Sequence, residues 1–140
     1  MDSDLWIQIL ELVVLLTLSG FFSSAETAMV SVSKIRLRTL EEEGNKKAAL
    51  ALKILENQSK MLSAILIGNN LVNTSAASIA SVIAYSFGGA AVSIATFIIT
   101  FLILVFGEIT PKTWATINAD KLALAYAPII IFLMKIFYGN

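Results

Sequence analysis

Long apolar runs alternate with short polar segments along this 140-residue chain. The apolar runs cover about residues 5–32, 61–85 and 92–112. Each run reaches the roughly 20 helical residues that cross the hydrocarbon core of a bilayer. The pattern therefore predicts three membrane-spanning helices within a single transmembrane domain that covers residues 1–140.

Segment 34–60, between the first two runs, is polar and basic. It carries seven of the ten basic residues of the chain. Its apolar residues recur at near-helical spacing on both sides of Gly44 and Asn45, which is typical of two amphipathic helices joined by a turn. We predict a helical hairpin that lies beside the membrane.

A fourth apolar run, about residues 119–138, fits two different structures. It is long enough to enter the bilayer, but Lys121 and Lys135 flank it and Pro128 interrupts it. A fourth span therefore competes with an interfacial helix that lies along the membrane surface like a belt.

The distribution of basic residues predicts the orientation of the chain. The N-terminus and the Gly88-Gly89 turn carry no lysine or arginine, whereas segment 34–60 and the residues after Thr110 carry all of them. Basic segments stay on the cytosolic side. We therefore expect a multi-pass protein of the cell membrane. With three spans, its N-terminus lies outside the cell and its C-terminus lies in the cytosol.

Composition narrows the class of protein further. Hydrophobic residues make up 57% of the chain, whereas soluble domains contain roughly half or less. The formal net charge is zero, so no global field attracts nucleic acid. The acidic N-terminus differs from the basic start of a secretory signal, so we expect the first span to be retained.

The chain contains neither cysteine nor histidine. This absence excludes disulfides, thiolate or imidazole metal ligands and the usual serine–histidine–aspartate triad. Any bound metal must be held by oxygen, and we do not expect an enzyme. An intramembrane serine hydrolase is a weak hypothesis, because no basic partner lies at a suitable depth.

Polar side chains interrupt the first two spans at helical spacing. Ser19 and Ser23 share one helix face, and Asn69 and Asn73 share another. These residues fit two roles, since such hydroxyls also bond their own helix and such amides also join helices. Asn70 lies beside Asn69, which leaves open which of the asparagines touches a ligand.

The third span ends in the sequence FGEITPK, residues 106–112. Pro111 has no N–H group, so the carbonyl of Gly107 loses its usual helical partner and the helix must kink or open, for example as a π-bulge. Glu108 lies beside that carbonyl. A carboxylate and a free carbonyl are costly inside a membrane, and a cation bound between them would satisfy both.

The candidate ligands are therefore hydroxyl, amide, carbonyl and carboxylate oxygens, which suit a hard ion such as Mg²⁺, Ca²⁺ or Na⁺. Two further charged residues have competing roles. Glu26 either joins the ligands or pairs with Lys34 or Arg36. Lys112 either anchors the helix at the membrane surface or pairs with Glu108.

Three motifs carry a resemblance to a known family. The stretches LSGFFSSAETAMVSVSKIRLRTL, IGNNLVNTSAASIAS and VFGEITPKTWA together resemble the transmembrane domain of the CNNM/CorC (CorB, cyclin M) magnesium transport proteins. The resemblance implies an all-α homodimer with three membrane helices per protomer and a juxtamembrane belt. Residues 119–138 would then belong to the belt.

The resemblance also implies a Mg²⁺ site that faces the cytosol. Matched by motif, its ligands would be Ser19, Ser23, Asn69, Asn73, Gly107 and Glu108. Glu26, Asn70 and Lys112 match the family pattern less securely. Larger members carry cytosolic CBS and CorC regulatory domains; neither is present in this chain, and we expect them in the full-length protein.

We expect a magnesium transporter that exports Mg²⁺ from the cytosol. No Walker or phosphorylated-aspartate motif is evident, so uphill transport would need another gradient. We expect this to be the Na⁺ gradient, used by alternating access. The alternative is a Mg²⁺-sensing or dimerising membrane domain that regulates another transporter.

Overall fold

The computed structural model describes residues 2–138, with side chains from Asp4 onward. All regular structure in this range is helical, which confirms the predicted all-α class. The elements are α1 (Asp2–Ser31), α2 (Lys34–Glu42), α3 (Lys46–Glu56), α4 (Gln58–Tyr85), α5 (Ala91–Leu104), a π-helical segment (Val105–Ile109), α6 (Thr110–Ile117) and α7 (Ala119–Tyr138).

The turn between α2 and α3 follows directly from its sequence. Gly44 has φ +93°, a conformation that glycine adopts without strain. Its N–H donates to the Glu41 carbonyl, and the N–H of Asn45 donates to the Leu40 carbonyl, which together form a Schellman motif. The Asn45 side chain then accepts from the N–H of Ala48 and starts α3.

Helix α1 is the centre of the bundle and lies antiparallel to α4. Ser19 contacts Asn73, and the ring of Phe22 fills the space beside Gly68. Residue numbers therefore rise along α1 where they fall along α4. Gly68 permits this approach, because a Cβ atom there would lie 2.6 Å from the Phe22 ring. The two polar faces predicted from the sequence therefore meet at similar depth.

The π-helical segment and α6 run parallel to α1. Ser19 contacts the backbone of Gly107, and farther along, Ala28 packs with Ala115. Gly20 lies against the ring of Pro111, so close that a Cβ atom at position 20 would be 3.1 Å from the proline Cγ. The distorted part of the chain is thus packed on the serine face of α1.

Length and hydropathy mark three helical stretches of the described residues as able to cross a membrane: Asp4–Ser31, Ala91–Ile117 and Ala119–Tyr138. Helix α4 is not among them, although its 28 residues extend about 42 Å, because its asparagines and serines lower its mean hydropathy. Helix α4 packs side by side with α1. The span 61–85 stays a prediction.

Both ends of α7 lie near one end of the α1–α4 pair. The N–H of Ser33, just after α1, donates to the Asp120 carboxylate at 3.0 Å. At the other end of α7, the ammonium group of Lys60 lies 5.8 Å from the centre of the Tyr138 ring, and Lys60 is near the start of α4. Helix α7 therefore crosses this end of the pair.

The main cluster of buried apolar side chains joins α1, α3, α4 and α7 and includes Met29, Ile54, Met61, Ile65 and Ile130. Helix α5 differs, since it buries none of its side chains. Its large apolar residues, among them Phe97 and Phe101, are exposed, as expected of a surface that faces lipid or another protein.

Candidate cation site

The helix that follows α5 widens where the sequence predicts a distortion. In the segment Val105–Ile109 the helix is of the π type, and the N–H of Thr110 donates to the Val105 carbonyl, five residues back. Pro111 follows and has no N–H for the carbonyl of Gly107. Gly107 is buried, so its oxygen must find partners elsewhere in the protein.

Those partners come from α1. The Ser23 hydroxyl donates to the Gly107 carbonyl at 3.0 Å, and the Ser19 hydroxyl lies 3.4 Å from the same oxygen. Ser19 is also 2.7 Å from the Oδ1 atom of Asn73 on α4. Both serines are buried, Ser19 to 1% exposure. Three separate helical elements thus bring oxygens to one point.

The two serines supply fewer hydroxyl protons than there are close contacts between oxygen atoms at this point. A hydroxyl has one proton and two lone pairs. The proton of Ser19 goes to the nearer acceptor, Asn73, which leaves two oxygens, Ser19 Oγ and Gly107 O, facing each other at 3.4 Å. Such a surplus of lone pairs favours a positive charge.

Glycine at position 107 keeps this point open. A Cβ atom there would lie 3.2 Å from Ser19 Oγ and 3.6 Å from Ser19 Cβ. Any larger residue would press on the Ser19 hydroxyl that donates to Asn73. Glycine at position 107 therefore allows α1 to come close to the freed carbonyl.

Asn69 adds an oxygen without a partner. It lies one turn from Asn73 along the same face of α4, and its Oδ1 atom is buried and accepts no hydrogen bond among the described residues. A buried acceptor without a donor costs about 1–3 kcal/mol. A bound cation would remove this cost, so the donor set fits a hard ion. Asn70, in contrast, is exposed.

Glu108 is not brought to this point, since its side chain is exposed. Successive residues of a helix point about 100° apart, so a buried Gly107 turns its neighbour outward. The part of the chain that the structure describes offers Glu108 neither a hydrogen bond nor a salt bridge, and Lys112 does not pair with it. No group of three or more aspartate or glutamate side chains placed to hold a metal ion is found in that part either.

Glu26 is half-buried. Its predicted pairing with Lys34 or Arg36 is not found among the described residues, where Arg36 instead lies 3.8 Å from the Asp120 carboxylate. The structure brings together the oxygens of Ser19, Ser23, Asn73 and Gly107, and the unpartnered oxygen of Asn69 lies one helical turn from Asn73. We call these five residues the cation site.

Sequence reasoning missed two contacts that flank the cation site. The Ser24 hydroxyl lies 3.0 Å from the Tyr126 hydroxyl of α7, and Phe22 packs on Gly68. The side-by-side serines at 23 and 24 gave a hint of a second polar face on α1. No pattern within either helix pointed to Tyr126 as the partner.

The chain is similar to known proteins along most of its length. The family described as "Cyclin M transmembrane N-terminal domain" matches residues 10–139. The "UPF0053 protein" of Haemophilus influenzae is 50% identical over 128 residues, which cover 91% of this chain and 30% of that protein. The "UPF0053 inner membrane protein YfjD" of Escherichia coli is 37% identical over 124 residues, 85% of this chain and 29% of that protein.

A more distant relative has a functional name. The "Polyamine export protein" of Haemophilus influenzae is 30% identical over 151 residues, covering 98% of this chain and 35% of that protein. The chain thus spans about a third of the length of each of these three relatives, between 29% and 35%.

Proposed function

We propose that this chain transports Mg²⁺, since it belongs to the family of cyclin M transmembrane domains and has the apolar helices of a multi-pass membrane protein. The cation site binds the ion, and Glu108 supplies the negative charge. The direction is export from the cytosol, driven by the Na⁺ gradient. The resemblance of the sequence motifs to magnesium transport proteins supports magnesium as the cargo.

The observation that carries the proposal is the buried Gly107 carbonyl. It lacks its helical partner and instead meets the hydroxyls of Ser19 and Ser23. Irregular backbone at membrane depth is tolerated where it lines a site or cavity, and broken helices hold ions in many transporters. Rotation of the Ser23 proton away from the Gly107 carbonyl, and of the Ser19 proton away from Asn73, would turn the oxygens of both serines, the carbonyl and Asn73 towards one ion.

Charge decides which ion can stay bound. Mg²⁺ gives up its water reluctantly and is usually held by one or two carboxylates, whereas the oxygens of the cation site are all uncharged. Glu108 follows Gly107 directly in the chain and has three rotatable side-chain bonds. A change of rotamer, or of the π-helical turn, brings its carboxylate to the ion and would accompany binding.

Transport then requires the site to open to each side in turn. The backbone of Phe106 in the π-helical segment and Pro111 at the start of α6 both lie on Gly20 of α1, a contact with little side-chain volume where the helices can shift. The crossing position of α7 supports a belt along the cytosolic surface, with three spans and the N-terminus outside. The exposed apolar surface of α5 supports a homodimer with this surface near its interface.

The test is Mg²⁺ flux in proteoliposomes that contain the purified chain, with an imposed Na⁺ gradient. We expect flux that follows the gradient in the native protein and no flux in Glu108→Gln. The control is Glu11→Gln, which makes the same change at an exposed carboxylate of α1, eight residues before Ser19. Flux in Glu108→Gln at the native rate would overturn the role of this carboxylate.

Two other results would favour other functions. Mg²⁺ binding without flux under any gradient would favour a sensing or dimerising domain that regulates another transporter. The name of one relative, polyamine export protein, supports an organic cation as a second candidate cargo, because oxygen acceptors also bind ammonium groups. Spermidine flux in the same liposomes, with no Mg²⁺ flux, would favour that candidate.

A further inference from the structure

Helix α7 touches the residues that flank the cation site. Tyr126 is half-buried on α7, and its hydroxyl lies 3.0 Å from that of Ser24. Ser24 is only 1% exposed and directly follows Ser23, which donates to the Gly107 carbonyl. A single hydrogen bond therefore links α7 to the turn of α1 that carries the two serines of the cation site.

The hydrogen bonds of this pair are all satisfied in one arrangement. The Ser24 hydroxyl is also 3.0 Å from the carbonyl of Phe21 on its own helix. Because a hydroxyl has one proton, Ser24 donates to Phe21 and accepts from Tyr126. Loss of the Tyr126 hydroxyl would then leave no buried donor unpaired, so its removal is a clean perturbation.

Aromatic rings extend the contact to α4. The Tyr126 ring meets Phe21 edge to face, with centroids 5.0 Å apart, and Phe21 meets Phe22 at 5.3 Å. Phe22 fills the space at Gly68, and the next residue of α4 is Asn69. The position of Tyr126 thus reaches both helices that supply side chains to the cation site.

We propose that Tyr126 is a positioning residue through which α7 sets the affinity of the cation site. The Tyr126 hydroxyl holds Ser24, and the shared helical turn then keeps Ser23 directed at the Gly107 carbonyl. The ring holds Phe21 and Phe22 so that α4 stays in register. This inference rests on the proposed function for its ligand, Mg²⁺, and adds a coupling between α7 and the site.

The first test is Mg²⁺ binding by the purified chain in micelles, measured by calorimetry. Tyr126→Phe keeps the ring and removes the hydroxyl. We expect its dissociation constant for Mg²⁺ to rise by about threefold to tenfold, the range of interhelical hydrogen bonds in membranes. The control is Tyr138→Phe on the same helix, which we expect to leave the constant unchanged.

A double-mutant cycle separates coupling from a general loss of packing. If the two hydroxyls act through each other, Tyr126→Phe should have no further effect on Mg²⁺ affinity in a Ser24→Ala background. Ser24→Thr retains a hydroxyl and should restore the sensitivity to Tyr126→Phe. Additive effects of the two substitutions would overturn the inference.

A metal-free measurement keeps the inference testable if the native chain binds no Mg²⁺. Because the chain has no cysteine, spin labels can be placed on cysteines introduced at Val30 of α1 and Thr113 of α6, both exposed. We expect Tyr126→Phe, and not Tyr138→Phe, to broaden the distance distribution between them. An unchanged distribution would refute the positioning role, whereas broadening without Mg²⁺ binding would refute only the proposed function.

Discussion

Replacing Asn69 by leucine is expected to stabilise the metal-free protein and to weaken its response to Mg²⁺. The Oδ1 atom of Asn69 is buried and accepts no hydrogen bond among the described residues. Leucine has the same branched shape and the same number of heavy side-chain atoms, but no polar atom. Loss of an unsatisfied buried acceptor should therefore raise the free energy of unfolding by about 1–3 kcal/mol.

Added Mg²⁺ should stabilise the native protein more than the Asn69→Leu variant. At a Mg²⁺ concentration 100 times the dissociation constant, binding stabilises the native protein by about 2.7 kcal/mol. If the loss of one ligand weakens binding a hundredfold, the upper end of the effect seen for residues that only support a ligand, the same concentration stabilises the variant by only about 0.4 kcal/mol. The stability advantage of the variant should therefore shrink or reverse as Mg²⁺ is added.

The assay is unfolding of the purified chain in mixed micelles, with and without Mg²⁺. The matched control is Asn70→Leu, the same change at the adjacent, exposed residue, which should keep the native response to Mg²⁺. The reasoning would be wrong if Asn69→Leu lowers the metal-free stability, or if it keeps the full gain with Mg²⁺. A loss of the response in Asn70→Leu alone would assign the ligand to the other amide.

Two further substitutions test the backbone at the site and the packing beside it. Pro111→Ala supplies an N–H that can bond the Gly107 carbonyl, so we expect equal or greater stability and a Mg²⁺ dissociation constant at least about tenfold higher, measured by calorimetry; native affinity would show that this carbonyl is not a ligand. Gly68→Ala places a Cβ atom 2.6 Å from the Phe22 ring, and the overpacking should cost about 1–3 kcal/mol in micelle unfolding. Stabilisation by about 1 kcal/mol, the helix preference of alanine over glycine, would show instead that the ring moves freely.

The outcome for the site residues shows how far a single sequence can be interpreted. The period of an α-helix places Ser19 beside Ser23 and Asn69 beside Asn73, and the chemistry of Pro111 predicts a broken helix with a freed carbonyl. Both inferences concern neighbours along one helix, where geometry is fixed by the backbone. The structure brings Ser19, Ser23 and Asn73 into direct contact with one another or with the freed carbonyl of Gly107, whereas Asn69 makes none of these contacts.

Glu108 shows where this reasoning stops. Proximity in sequence suggested that its carboxylate and the Gly107 carbonyl lie side by side, but adjacent residues on a helix point in different directions. Gly107 faces α1, and Glu108 is exposed. Its role as a ligand stays a prediction that the flux assay tests.

By itself, the sequence determined the helical class, the long apolar helices and the distortion at Pro111, because hydrophobic periodicity and a missing N–H act locally. Only the tertiary structure decided which faces meet: Ser19 with Asn73, Phe22 with Gly68, and Ser24 with Tyr126, 102 residues away. The rotation and register of one helix against another depend on how side chains fill the space between them. That filling involves all the helices together, and no single stretch of the chain encodes it.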